Sequence, residues 1–257
     1  MDSRVLASKK KYEGKLFKSN MCGDVVVLEY ISSTNIKIRF TTTEYERSVD
    51  ISCLLSGGMR DPTFPSVYGV GWLGEKFSKS EFRLQSYICW NSLLFRCYHK
   101  SSKLRSPTYH DCSVSENFKC YSKFKEWCNK QIGFGLKDDN GKVFALDKDI
   151  LIKGNKQYSE GACCFVPREI NNLFNTHKNS RGGSTLGVQR RGHRFNSTIS
   201  QFGVRRSLGV FDTEEQAFLA YKQAKEDYIK EIANKWKDQI DPRDYEALMN
   251  WEVEGTD

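Results

Sequence analysis

The chain has 257 residues, 39% hydrophobic and 28% charged, which suits two or three small folded domains rather than a disordered polymer. No apolar run approaches the ~18 residues that a membrane span needs, and the N-terminal MDSRVLASKKKYEGK lacks the apolar core of a secretion signal, so neither a membrane protein nor a secreted precursor is expected. Lys+Arg 40 against Asp+Glu 32 leaves a formal +8, a balance compatible with anionic partners.

In chain order, the pattern is that of a multidomain α+β protein with segments 1–80, 81–178 and 184–257. Residues 1–80 read as a β-rich module. Val25–Ile31 and Ile36–Phe40, separated by Ser-Ser-Thr-Asn, suggest a hairpin, and Ile36, Ile38 and Phe40 alternate with Lys37 and Arg39 as on a half-exposed strand. The following GGMRDPTFPSVYGVGWLG is rich in turn residues and reads as a loop; its GVGWLG lacks the glycine spacing and strand-to-helix setting of a phosphate-binding turn. A protein-interaction role for this module is an open alternative.

In the middle segment, Trp90, Leu93, Leu94 and Cys97 fall on one face of a helix. Ser115 suits the cap of a second helix, on which Cys120, Phe124, Trp127 and Cys128 share a stripe. Two strands are expected next, Val143–Leu151 and Ser159–Val166, joined by a loop containing Gly154-Asn155-Lys156. Pro167 then fits the first turn of a short helix, Pro167–Phe174.

The last segment follows a flexible linker, Arg181-Gly182-Gly183-Ser184. Three strands are expected at about Gly187–Arg191, Arg194–Gln201 and Val204–Phe211. Thr213-Glu-Glu-Gln216 forms a capping box that opens a helix reaching about Trp236, with Phe218, Tyr221, Lys225, Tyr228, Ile232 and Trp236 along one side. Asp241-Pro242 begins a terminal helix.

Charge is unevenly distributed. From Glu214 onward the chain carries a net −6, and the remainder +14. Between Arg181 and Phe211 stand six arginines (181, 190, 191, 194, 205 and 206) and no Asp or Glu, the asymmetry of a face that meets a polyanion. The nine cysteines are odd in number, include no CxxC, and place Cys163 beside Cys164, so reduced thiols in a cytosolic protein are the simplest reading. The spacing of Cys97, His99, His110 and Cys112 is wrong for the usual structural zinc site.

Alternation along the three C-terminal strands separates two faces. Phe195, Ser197 and Ile199 turn toward the helix, whereas Arg194, Asn196, Thr198 and Ser200 turn away. Gln189, Arg191, Arg205 and Ser207 join the outward face, whose side chains suit phosphates and base edges. Arg206 breaks the pattern, because parity turns it inward with Leu208 unless a bulge or an edge position releases it.

These residues resemble the ethylene-response-factor (APETALA-type) DNA-binding domain. The matching residues are Gly187-Val188-Gln189-Arg190, Arg194-Phe195, Ile199, the run from Ser207 to Ala217, and Ala220-Tyr221. The resemblance implies a sheet that reads the DNA major groove through Gln189, Arg191, Arg194, Thr198, Ser200, Arg205 and Ser207. The family tends to carry Arg or Trp where this chain has Gln189, Ser200 and Ser207, so its base preference does not carry over.

The middle segment resembles the ββα-metal fold of phage HNH homing endonucleases. Its matching residues are Trp90 with Arg96-Cys97-Tyr98, Pro107-Thr108-Tyr109 to Trp127, Leu146-Asp147-Lys148-Asp149, Gly154 to Ser159, Cys164-Phe165-Val166-Pro167, and Asn171-Asn172. That resemblance implies a divalent metal, Mg²⁺ above all, held by Asp147 and Asn171 with Asp149 as a further carboxylate, and Asn155 orienting the base. Lys148 stands where active members usually carry His; an ammonium is a poor base at neutral pH and better suited to neutralising phosphate. His110, from the earlier loop, is the imidazole available as a catalytic base.

Two functions follow as expectations. One is a site-specific, metal-dependent DNA endonuclease of the homing type; the other is a regulatory or architectural DNA-binding protein with a degenerate nuclease domain. Both imply double-stranded DNA as partner, no membrane, and a phage protein in the host cytoplasm.

Overall fold

The computed structural model describes residues 3–75, 77–105, 109–174 and 185–255. The expected linker Arg181–Ser184, and Pro107-Thr108 of the middle segment, lie outside these. The architecture is mixed α+β with several separate sheets. Two compact units are formed, one from 1–128 with 157–159 and the other from 129–156 with 160–257, so the middle segment contributes to both.

The first unit opens with a helix that the sequence reading did not anticipate, α1 (Ser3–Tyr12), whose Tyr12 is buried and stacks on Tyr30 at 5.7 Å. Strands β1 (Leu16–Ser19), β2 (Gly23–Ser32), β3 (Asn35–Phe40) and β4 (Glu46–Val49) form an antiparallel meander in sequence order. The expected hairpin is β2–β3, with Val25 opposite Phe40 and Val27 opposite Ile38. The inward residues Val25, Val27, Ile36, Ile38 and Phe40 are sealed in one core, as their alternation requires. Helix α2 (Ile51–Ser56) is capped by Asp50, whose carboxylate accepts the Cys53 N–H at 2.8 Å.

The turn-rich stretch does run as a loop, and its glycines serve packing. A Cβ on Gly71 would stand 2.4 Å from Leu94 Cδ1, so bare backbone is what lets the loop close on α3 (Gln85–Tyr98). On α3, Trp90, Leu93, Leu94 and Cys97 are fully buried, as the spacing indicated. Beyond α4 (Lys100–Arg105) and β5 (Ser113–Val114), the expected second helix is two: α5 (Glu116–Lys119), capped by Ser115, and α6 (Tyr121–Cys128). The break has a cause in the preceding loop. Trp72 N–H donates to the Lys119 carbonyl at 3.0 Å, and Tyr121 N–H donates to the Trp72 carbonyl at 2.9 Å, which holds Cys120 extended.

The second unit contributes β6 (Ala145–Asp147), after which the chain supplies β7 (Gln157–Tyr158) to the first unit, parallel to β5. It continues with β8 (Cys164–Val166), antiparallel to β6, and α7 (Arg168–Leu173). Both expected strands are shorter than the sequence suggested. Asp147 ends β6 with its own side chain, Oδ1 accepting the N–H groups of Asp149 at 2.7 Å and Ile150 at 3.0 Å. Pro167 stands at the cap position, one residue before the first turn where it was expected.

Strands β9 (Val188–Arg191), β10 (Arg194–Gln201) and β11 (Val204–Phe211) form an antiparallel sheet with β10 central. Helix α8 (Glu214–Trp236) lies across one face, and α9 (Pro242–Met249) follows, capped by Asp241. Thr213 Oγ1 caps α8 by accepting the Gln216 N–H at 3.2 Å. Gly187 makes the closest approach to the helix: φ is +73°, and a Cβ there would lie 2.0 Å from the Tyr221 ring. All nine cysteines are free thiols, seven of them buried. No helix among the described residues is long and apolar enough to cross a membrane.

Candidate nucleic-acid interface and the strand–strand–helix site

Cross-strand partners share a face, so the register assigns each side chain. Arg194 lies opposite Arg191, Asn196 opposite Gln189 and Val210, Thr198 opposite Ser207, and Ser200 opposite Arg205. Phe195 opposite Phe211, Ser197 opposite Gly209 and Ile199 opposite Arg206 make up the helix side. Ser197 and Ile199 are buried there, and the seven sequence-selected residues all fall on the other face. Thr198 is half-buried, and Gln189, Arg191, Arg194, Ser200, Arg205 and Ser207 are exposed.

A bulge produces this assignment. Ser197 pairs with Gly209, yet Thr198 pairs with Ser207, leaving Leu208 as the extra residue. Strict alternation from Gly209 would turn Ser207 and Arg205 toward the helix; the extra residue returns them to the polar face. Arg206 is not released by the bulge. It pairs with Ile199 on the helix side and reaches solvent because β11 is an edge strand.

Contacts on the polar face are light. Arg205 Nη2 donates to Thr198 Oγ1 at 3.1 Å, and Arg194 Nε reaches Asp212 Oδ1 at 2.9 Å in an exposed ion pair of small energetic weight. Asn196 is 8% exposed and accepts from Ser207 Oγ at 3.4 Å. Alternation turned Asn196 outward, but its place at the centre of the face comes from pairing with both β9 and β11.

The β6–β8–α7 arrangement has the strand–strand–helix order expected of the middle segment, and its loop is closed on itself. The Lys148 side chain is 7% exposed, and Nζ stands 2.8 Å and 2.6 Å from the two Asp149 carboxylate oxygens. Nζ also donates to the Asn155 carbonyl at 2.8 Å, while Asn155 Nδ2 donates to the Lys148 carbonyl at 2.8 Å. Burial pushes the Asp147 carboxyl above its usual range, a shift that Asp149 reinforces and the two accepted N–H bonds oppose. Asn171 is half-buried on α7, and His110 is exposed in the first unit.

The polar groups of this loop are engaged with one another. Asp149 is taken by an ammonium, one Asp147 oxygen by two backbone amides, and the Asn155 amide points its nitrogen at a carbonyl. Among the described residues no group of three His, Cys, Asp or Glu side chains is arranged to hold a metal. Asp147 and Asp149, expected as ligands, are thus hydrogen-bonded within their own loop, and Asn171, the third, lies on α7.

The sequence reading missed a second acid beside Asp147. Asp244, on α9, is fully buried beside the Cys164 thiol, and its burial pushes its pKa up to about 7. The neighbouring Cys164 thiol is pushed well above its usual value, first by burial and then by Asp244 and Asp147. The Asp241-Pro242 start of α9 was the available signal, since it places Asp244 in the first turn.

No family model, curated protein or solved structure matches this chain.

Proposed function

We propose that this chain binds double-stranded DNA through the polar face of β9–β11, in the cytoplasm of a phage-infected host. The observation that carries this reading is the gathering of Gln189, Arg191, Arg194, Thr198, Ser200, Arg205 and Ser207 on one face, within strands that contain no acidic residue. Eight residues of β10 span roughly 27 Å, and three strands are about 10 Å wide between outer axes, dimensions that suit a major groove ~12 Å across. Arginines at the ends would hold phosphates, leaving Gln189, Asn196, Thr198 and Ser207 for base edges. The resemblance to the APETALA-type domain supports the same orientation.

In this reading the β6–β8–α7 unit is a degenerate nuclease core kept as scaffold, and the protein is regulatory or architectural. The Lys148–Asp149–Asn155 network favours this, because it engages Asp149, the further carboxylate of the expected ligand set, and the Asn155 side chain expected to orient the base. A homing-type, metal-dependent endonuclease is the second reading, favoured by the strand–strand–helix order.

Anisotropy with a labelled duplex tests the first reading. Arg191→Ala and Arg205→Ala should each weaken binding about tenfold and reduce the slope of log affinity against log salt by ~0.9. Unchanged affinity in both variants overturns the assigned face. Plasmid cleavage with Mg²⁺ or Mn²⁺ that disappears in Asp147→Ala would establish the second reading instead.

A further inference from the structure

Within the second unit, a cleft of about 1160 Å³ opens beside α8, between the free edge of β10 and α7. Its origin is the shortness of β9. The β9–β10 pairing stops at Ser197 opposite Val188, and beyond it only the Thr198 N–H is met on that side, by the Gly187 carbonyl at 2.9 Å. Tyr221, Lys225 and Tyr228 form the α8 wall, and Trp236 lies further along it. Thr198, Ser200 and Arg205 line the cleft and also belong to the polar sheet face, so the two surfaces are continuous.

The charges lining the cleft are unequally paired. Lys235 satisfies both Asp139 at 2.8 Å and Glu169 at 2.7 Å, and Asp138 spends Oδ1 on the N–H groups of Asn140 and Lys142. By contrast, Lys225, Arg168, Lys142 and Arg205 have no carboxylate within ion-pair distance among the described residues. Lys225 is the unusual one. It is half-buried in the middle of a helix, and Nζ is 5.8 Å from the centre of the Tyr228 ring, its contact with an aromatic face. Burial alone depresses its pKa to about 8. A desolvated ammonium without a counter-ion is costly, and a phosphate oxygen would supply the missing charge.

We propose that this cleft is a phosphodiester site, which takes the backbone of one DNA strand as it leaves the sheet face and anchors it on Lys225, with Arg205 and Arg168 alongside. The inference rests on the DNA-binding reading above. The chemistry it recognises, a phosphate ester, is shared with free phosphate groups, and the test separates the two.

The experiment uses the full chain, a labelled 20-base-pair duplex and anisotropy from pH 7.5 to 9.0. Besides Lys225, the charged groups sharing the cleft are Arg205 from β11, Arg168 and Glu169 from α7, Asp138, Asp139 and Lys142 from the loop before β6, and Lys235. Wild-type affinity should fall severalfold across this range as the Lys225 ammonium loses its proton. Lys225→Arg should bind as wild type at pH 7.5 and lose the pH dependence. Lys225→Gln should bind about tenfold more weakly at pH 7.5, with a salt slope lower by ~0.9. If both Lys225 variants match wild type in affinity, slope and pH profile while Arg191→Ala weakens binding, the cleft proposal fails and the sheet reading stands. If wild type ignores the duplex at low salt, the sheet reading fails and takes the cleft with it. If inorganic phosphate erases the pH dependence at millimolar concentration while chloride of equal ionic strength does not, the site serves a free phosphate and the strand assignment is overturned.

Discussion

Lys148 and Asn155 hold each other reciprocally: the ammonium donates to the Asn155 carbonyl, and the Asn155 amide donates to the Lys148 carbonyl, each at 2.8 Å. The pair closes the loop after β6 and brings Asp149 with it.

A double-mutant cycle measures that closure. Lys148→Met should cost about 1–3 kcal/mol and Asn155→Ala about 1–2 kcal/mol, because each removes a side-chain hydrogen bond to the other residue's carbonyl. The two should fall short of additivity by at least ~0.5 kcal/mol in urea denaturation. Strict additivity would mean that the two bonds are independent.

Asp244 should make stability depend on pH. Its pKa is raised by burial first, then by Asp241 and Asp147, with Cys164 and Arg243 opposing. The folded state therefore binds this proton more tightly than the unfolded chain does. The contribution is full below about pH 4 and is lost as pH rises through about 7, at on the order of 1 kcal/mol per pH unit. Asp244→Asn should flatten this slope and leave the protein more stable than wild type at pH 8. Asp147, raised in the same direction, leaves a residual slope. A wild-type protein whose unfolding free energy rises steadily from pH 4 to 7 would contradict the account.

The bulge at Leu208 is open to deletion. Removing Leu208 leaves Gly209 next to Ser207, so the Ser197–Gly209 and Thr198–Ser207 pairs follow one another without interruption and Ser207 and Arg205 stay on the polar face. DNA affinity should therefore be retained in the deletion variant, unlike in Arg205→Ala. Affinity that falls as far as in Arg205→Ala would show that the register across Leu208 is not the one assigned.

Gly187→Ala should destabilise the second unit by about 2–4 kcal/mol, since it combines a left-handed backbone with a collision on the Tyr221 ring. Calorimetry would detect this as a lowered melting temperature. An unshifted transition would mean that the Gly187–Tyr221 contact is not maintained in solution.

The C-terminal sheet was the most legible part of the chain, because strict period-two alternation, Gly-containing turns and the Thr213 cap all point to one arrangement. What alternation could not supply was the position of the extra residue, since a bulge depends on pairing with β10 rather than on β11 alone. The second helix of the middle segment was misread for a related reason: its break at Cys120 is imposed by Trp72, nearly fifty positions earlier. At the candidate metal site, residue types and order were legible. Their use was not, because whether Asp149 faces an ion or Lys148 depends on local geometry that the order LDKD leaves open. The cleft escaped notice because Lys225 reads as a polar interruption of an apolar stripe until β9 is seen to stop short of it.

The excursion of Gln157–Ser159 into the first unit has a consequence for how such a chain can be inherited. Tyr158 is nearly sealed from solvent, accepts the Ser115 N–H at 2.9 Å through its carbonyl, and carries the Arg96 guanidinium over its ring at 5.4 Å. A gene fragment ending at codon 128 encodes everything in that unit except this strand. One recombination event therefore cannot exchange the halves cleanly, and an evolutionary swap of the C-terminal sheet and its helices would need a junction downstream of Ser159.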